Sequence, residues 1–236
     1  MKKRIMLKLS GMALSKVGKG YGIHQHTLHH LAKRIKEELY DPGFQIVIVI
    51  GGGNIWRYRD TIESGIERTV SDAMGMLATI MNSVALQAAL ESFDAHTRVL
   101  SAIDVPQLAE PYIRRKAIRH LEKGRIVICA GGTGNPYFTT DSAAALRALE
   151  LSCELLLKAT DVDGIYDKDP DRFRNATKYS DLTYDEALEK HLDIMDQSAF
   201  SLCRDQKLPI RVFKFSLPGS LHKAAEGKKI GTLVHS

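Results

Sequence analysis

Short runs of consecutive apolar residues alternate along the chain with longer stretches in which apolar positions recur every three or four residues. The short runs read as strands at Arg4–Leu9, Gln45–Ile50, 97–100, 125–129, 155–158, 210–215 and 231–235. The run from Gln45 to Ile50 is unbroken and largely β-branched, as expected of a strand buried on both faces of a parallel sheet. Helical spacing appears over 26–40, through Leu28, Leu31, Ile35 and Leu39, and Asp41-Pro42-Gly43 stops it. A longer helix is predicted over 69–92, with Met74, Leu77, Ala78, Met81, Ala85 and Ala88 on one face that suits a core or a subunit interface. Further helices are expected over 112–123, up to Glu150, over 183–190 and 196–206, and from Pro218 as a first helical residue. Residues 102–110 read as a connection. Residues 160–177, rich in Asp and turn signals, read as a hairpin and loop over the sheet. The pattern is α/β, with one parallel-rich sheet covered on both faces.

Length adds that 236 residues suffice for one undivided domain. Charge changes the picture little. The net +5 is spread over short basic clusters without interleaved aromatics, which suits small anionic ligands and solvated faces better than nucleic acid. Cys129, Cys153 and Cys203 lie in or beside apolar stretches with no paired spacing, so buried thiols in a reducing cytoplasm are expected. The apolar start from Ile5 to Leu9 is too short for a signal peptide or a membrane span. His24, His26, His29 and His30 lack partners at metal-ligand spacing, so no protein-held metal is predicted.

Three Gly-containing turns follow predicted strands: Ser10-Gly11, Gly51-Gly52-Gly53-Asn54 and Gly131-Gly132-Thr133-Gly134. The first opens a mobile loop running to Gly22. In an open α/β sheet such turns converge on a cleft beyond the carboxyl ends of the strands, and amides at a helix start suit phosphate. Neither GxGxxG after these strands nor GxxxxGK[ST] occurs, which excludes the usual dinucleotide and P-loop fingerprints. Lys8 interrupts an apolar strand beside the first turn, where it serves either a phosphate or, on an edge strand, only water. Arg57 follows the second turn and is either a cleft residue or an ordinary loop arginine. Asp141, in the first turn of a helix, is either a cap or a partner for a lysine or for magnesium-bound water. The aspartates of 161–169 can clamp nucleotide or simply form turns. Together these parts suit phosphoryl transfer, in which positioning and charge neutralisation do most of the catalysis.

Read in order, Lys8-Leu9-Ser10-Gly11, Ile50-Gly51-Gly52-Gly53-Asn54, Asp72-Ala73-Met74-Gly75-Met76-Leu77-Ala78-Thr79, the segment from Thr133 to Asp141, the segment from Lys158 to Tyr166 and Leu208-Pro209-Ile210-Arg211-Val212-Phe213 resemble the bacterial uridylate (UMP) kinase family of the amino-acid-kinase superfamily. The resemblance implies a three-layer α/β/α sandwich with a mainly parallel central sheet. It implies one domain over 1–236, with acceptor binding roughly in 1–150 and ATP binding roughly in 151–236. It implies transfer of a phosphoryl group from MgATP to UMP in pyrimidine nucleotide synthesis, a cytoplasmic homohexamer, and UTP as an inhibitor. Lys8, Arg57 and Asp141 would be catalytic, with Asp141 orienting Lys8. Lys8, Leu9, Ser10, Gly11, Gly53 and Arg57 would meet the ATP phosphates, and Thr160, Tyr166 and Asp169 the adenosine end. Gly52, Asp72, Thr133, Gly134, Asn135, Pro136, Tyr137, Phe138, Thr139 and Thr140 would hold UMP. Magnesium would enter as MgATP.

The chain departs from the family pattern at Met12, where Glu is usual, at Tyr58, where Gly is usual, and at Gln87-Ala88, where an Arg-Asp pair accompanies activation by GTP. Weak or absent stimulation by GTP is expected. Two alternatives share some of these features: a superfamily kinase acting on a carboxylate, whose acyl phosphate hydroxylamine would trap, and a nucleic-acid-binding regulator on the same fold.

Overall fold

The computed structural model describes residues 2–16, 21–58 and 65–236. Nine strands form one sheet: β1 (Arg4–Leu9), β2 (Gln45–Ile50), β3 (Thr97–Ser101), β4 (Glu110–Pro111), β5 (Ile126–Ala130), β6 (Leu155–Thr160), β9 (Asp181–Thr183), β10 (Ile210–Lys214) and β11 (Thr232–His235). Their order is β4-β3-β5-β2-β1-β6-β10-β11-β9, and every neighbouring pair is parallel except β10 with β11. A separate antiparallel hairpin joins β7 (Ile165–Tyr166) to β8 (Lys178–Tyr179); β7 lies inside the excursion expected at 160–177 and β8 just past its end.

Side chains of successive strand residues point to opposite faces, so parity sorts each strand between two layers. Ile5, Leu7 and Leu9 of β1, Ile46, Ile48 and Ile50 of β2, and Leu155 and Leu157 of β6 pack into one core. That core is closed by α1 (Gln25–Ile35), α2 (Arg68–Glu91) and α7 (Ser220–Ala225). Met6, Val47, Val49 and Leu156 face the other way, against α3 (Arg114–Glu122), α4 (Thr140–Glu150), α5 (Tyr184–Glu189) and α6 (Gln197–Asp205). This is the three-layer arrangement with a mainly parallel sheet. The central strands β1, β2 and β5 are apolar on both faces because both faces are covered.

Several local expectations are corrected. The helix predicted over 26–40 is α-helical only to Ile35 and continues as a π-turn over Lys36–Tyr40, where the Asp41 amide donates to the Lys36 carbonyl. Pro218 precedes α7 and does not begin it, because Gly219, at φ 71°, is the N-cap. The connection at 102–110 ends in β4, and β9 was not foreseen; strands of two and three residues leave too little pattern to read. The loop expected up to Gly22 falls partly on residues 17–20, outside the described residues.

α2 is long and apolar enough, by composition, to cross a membrane. Its inner face nevertheless buries Ser71, Thr79, Asn82 and Ser83 against the fold, which marks it as a packed helix of the layer. The three cysteines are free and buried, and burial pushes the Cys129 and Cys203 thiols up to about 12.

Candidate active site

β1 is not an edge strand: it lies between β2 and β6, so the water-facing reading of Lys8 is overturned. Lys8 shares parity with Met6 and so points to the α4 face. In the parallel register Lys8 lies opposite Lys158 of β6, which has the same parity as Leu156. Two lysines on adjacent central strands therefore emerge side by side beneath the start of α4.

Asp141, the second residue of α4, lies between them. Lys8 Nζ forms an ion pair with Asp141 Oδ1 at 2.6 Å. Lys158 Nζ donates to Asp141 Oδ2 at 2.8 Å and also to the Ile194 carbonyl. Burial opposes ionisation of Asp141, but the two ammonium groups outweigh it and hold the carboxyl below its ordinary value of 3.8. The result is a mostly buried carboxylate flanked by two cations, a net positive cluster suited to phosphate oxygens.

One cavity, of about 440 Å³, opens on one side of this cluster, over α2. Gly52, Gly53, Arg57, Asp72, Thr133, Asn135, Phe138, Thr139 and Thr140 line it, as do Trp56, Tyr58, Arg68 and Thr79, which were not foreseen. A second, of about 510 Å³, is lined by Lys158, Thr160, Tyr166, Asp169 and segment 190–194. Thr140 belongs to the first, Lys158 to the second, and Asp141 follows one and pairs with the other. The lysine cluster thus stands at the junction of two cavities.

α2 holds the first cavity rigidly. A Cβ on Gly52 would stand 2.7 Å from the Gly75 carbonyl oxygen, so only glycine fits there. Asn82 donates to the Gly51 carbonyl at 2.7 Å and exchanges hydrogen bonds with Asn54; both side chains are fully buried. Thr79 Oγ1 accepts from the Gly131 amide at 2.9 Å. Asp72 accepts from Arg68 Nε and, at 2.8 Å, from the amide of Tyr137, which has a left-handed φ of 71°. Arg68 in turn lies over the rings of Tyr58 and Tyr137.

The remaining candidates divide. Ser10 caps the turn Gly11–Leu14, and a Cβ on Gly11 would meet the Gly51 carbonyl oxygen at 2.6 Å, so the first two glycine turns interlock. Lys8, Leu9, Ser10 and Gly11 line neither cavity, and the Leu9 side chain is wholly in the core. Gly134, Pro136 and Tyr137 also line neither, although the Tyr137 amide anchors Asp72. Arg57 Nη2 reaches Met12 Sδ at 2.6 Å, where the family pattern has a carboxylate. Of the aspartates of the polar excursion, Asp169 forms a turn by accepting from the Asp171 amide at 2.9 Å, and Asp167 closes the hairpin by accepting from the Thr177 amide at 2.7 Å.

Besides those lining residues, Lys158 and Asp196 escaped sequence reasoning. Lys158 carries the same signal as Lys8, a charge in an apolar strand, but lay at the end of a strand read as stopping there. Asp196 caps α6 by accepting from the Ala199 amide, and also accepts from the Thr139 and Ser142 hydroxyls. It ties the first turn of α4, and so Asp141, to the segment whose Ile194 carbonyl holds Lys158.

The amino acid kinase family model matches residues 3–214, and the chain belongs to that family. Within it, the chain is 52% identical over 232 residues to a curated uridylate kinase of Cereibacter sphaeroides, covering 98% of this chain and 94% of the relative. It is 53% identical over 233 residues to the uridylate kinase of Xanthomonas campestris pv. campestris, covering 98% and 96%. Among solved structures, UMP kinase from Bacillus anthracis superimposes with a TM-score of 0.95 at 40% identity, over 99% of this chain and 96% of that one.

Proposed function

We propose that this protein is a UMP kinase, transferring the γ-phosphoryl group of MgATP to UMP to give ADP and UDP. The observation that carries the reading is the Lys8–Asp141–Lys158 cluster between two cavities, in a chain more than half identical to uridylate kinases. The relatives give no support to the carboxylate-kinase or regulator alternatives.

UMP occupies the cavity over α2, with its phosphate at Gly52 and Thr140; Gly53 and Arg57, expected at the ATP phosphates, line this same cavity and so meet the phosphoryl group in transfer. Asp72 and the residues from Thr133 to Thr139 hold the nucleoside. ATP lies with its adenosine end at Thr160, Tyr166 and Asp169, and its phosphates toward Lys8, Leu9, Ser10 and Gly11. Asp141 spends both oxygens on lysines, so magnesium is carried by the triphosphate. The acceptor phosphate, with a second pKa of about 6, is mostly dianionic at neutral pH, so no base is needed. One of its oxygens attacks the γ-phosphorus while the bond to the bridging oxygen breaks and its electron pair leaves on ADP. Lys8, Lys158 and Arg57 neutralise the charge that moves to that oxygen, and Asp141 keeps the two lysines charged and aimed.

The acceptor-binding part lies roughly in 1–150 and the ATP-binding part roughly in 151–236 of one domain, with Lys8 to Gly11 reaching the ATP phosphates from the first part. A cytoplasmic homohexamer serving pyrimidine nucleotide synthesis is proposed, with Val70, Leu77 and Met81, half exposed along α2, forming a subunit contact. UTP inhibits by taking the acceptor cavity. GTP stimulates weakly or not at all, since Gln87 is spent on the Thr97 carbonyl and Arg98 on Glu91 at 3.2 Å.

The test is ADP release from MgATP with UMP, CMP, dUMP, acetylglutamate and aspartate offered separately. Turnover with UMP about a hundredfold above CMP, or roughly 2.7 kcal/mol, is expected. Faster turnover with either carboxylate would overturn the reading.

A further inference from the structure

A third cavity, of about 640 Å³, lies between β10, β11 and the β7–β8 hairpin and shares no lining residue with the other two. It is lined by four cations, Lys178, Arg211, Lys214 and Lys229, and two carboxylates, Asp163 and Asp181. Both carboxylates are engaged: Asp163 pairs with Lys178 of the same lining at 2.8 Å, and Asp181 with His235, outside it, at 2.5 Å. Among the described residues, no carboxylate lies within ion-pair distance of Arg211, Lys214 or Lys229.

Arg211 is the telling group. It is only 6% exposed, yet its guanidinium makes a single hydrogen bond, from Nη1 to the Ile230 carbonyl at 3.0 Å. Its Nε–H is buried without a partner among the described residues. A buried, underbonded cation is costly unless something anionic completes it. The guanidinium fork matches phosphate oxygens, and Lys214 and Lys229, neither ion-paired to a carboxylate among the described residues, leave the four cations outnumbering the two carboxylates of the lining. The cavity is larger than the one assigned to the acceptor nucleotide, so it has room for an organic phosphate.

We infer that this cavity is a binding site for a phosphate-bearing metabolite, held by Arg211, Lys214 and Lys229 and distinct from both substrate cavities. Asp163 connects it to the donor side. It pairs with Lys178 and also accepts from the Tyr166 hydroxyl at 2.5 Å, and Tyr166 lines the second cavity. A ligand that draws Lys178 toward itself leaves Asp163 to Tyr166, so occupancy is felt where ATP binds.

The experiment is calorimetric titration of inorganic pyrophosphate, at low ionic strength, into enzyme saturated with UMP and a non-hydrolysable ATP analogue. Separate titrations of those two ligands establish beforehand that the substrate cavities are filled. One equivalent of pyrophosphate is expected to bind. The double variant Lys214→Glu/Lys229→Glu should weaken that binding at least tenfold while keeping wild-type kcat with UMP, which also shows that it folds. No binding to the saturated enzyme, or unchanged affinity in the folded double variant, would overturn the inference.

Discussion

The two cavities proposed to hold the acceptor and the donor nucleotide are built differently. The acceptor cavity is hung on one helix: Asn82, Thr79 and the close approach at Gly75 fix two glycine turns from buried side of α2. The donor cavity is framed by the excursion after β6 and by segment 190–194, and its polar contacts, such as Arg172 with Asp169, are largely exposed. Buried hydrogen bonds and backbone contacts leave few alternatives, whereas exposed ion pairs contribute about 0–1 kcal/mol and are easily rearranged. The acceptor side therefore has the more rigid scaffold for discriminating between ligands, and the donor side is the more adjustable one. The lysine cluster joins them.

The largest effect expected away from Lys8 is at that joint. Asp141→Asn should lower kcat by at least about a hundredfold with little change in the KM for UMP, read from initial rates, because it disturbs both lysines and neither cavity wall. The same variant has a pH signature. The folded carboxyl titrates below its ordinary 3.8, so its stabilisation is full above that value and is lost as pH falls through the folded value. Urea denaturation should show the widest gap between wild type and variant near pH 7, narrowing below about pH 4.

Next comes the wall itself. Gly52→Ala sets a methyl against the Gly75 carbonyl oxygen and the Ala78 side chain of α2, and should cost about 1–3 kcal/mol of stability. Its KM for UMP should rise more than its KM for ATP; the opposite order would erase the contrast between the cavities. Asp196→Ala should be milder, with about 1 kcal/mol lost with the α6 cap and a several-fold fall in kcat as Asp141 loses its support. Asp196→Asn, which keeps a capping oxygen, should recover most of both. The smallest expected effect is with GTP, which should raise the rate less than about twofold; replacing Gln87 with Arg is the informative companion, since it restores a cation there.

The fold was legible because the central strands are continuous apolar runs, and a sheet covered on both faces demands such runs. Lys8 and Asp141 were legible as a charge inside such a run and an acid at a helix start. Their pairing was not derivable from spacing, because it depends on parity and on the register that sets Lys8 opposite Lys158. Asn54 and Asn82 carry no local signal: each looks like an ordinary turn or helix residue until the chain brings them together. Asp196 likewise reads as a simple cap, and only the contact with Thr139 and Ser142 gives it a second task. Arg211 sits in a quoted motif, but its burial without a carboxylate is visible only in three dimensions.

The most direct measurement is UMP-dependent ADP release by wild type and Lys8→Ala, compared at saturating UMP and MgATP. A fall in kcat of at least about a hundredfold, with UMP still bound in a direct titration, is expected if Lys8 stabilises the transferring charge. Turnover within about threefold of wild type, less than roughly 0.7 kcal/mol of barrier, would contradict it.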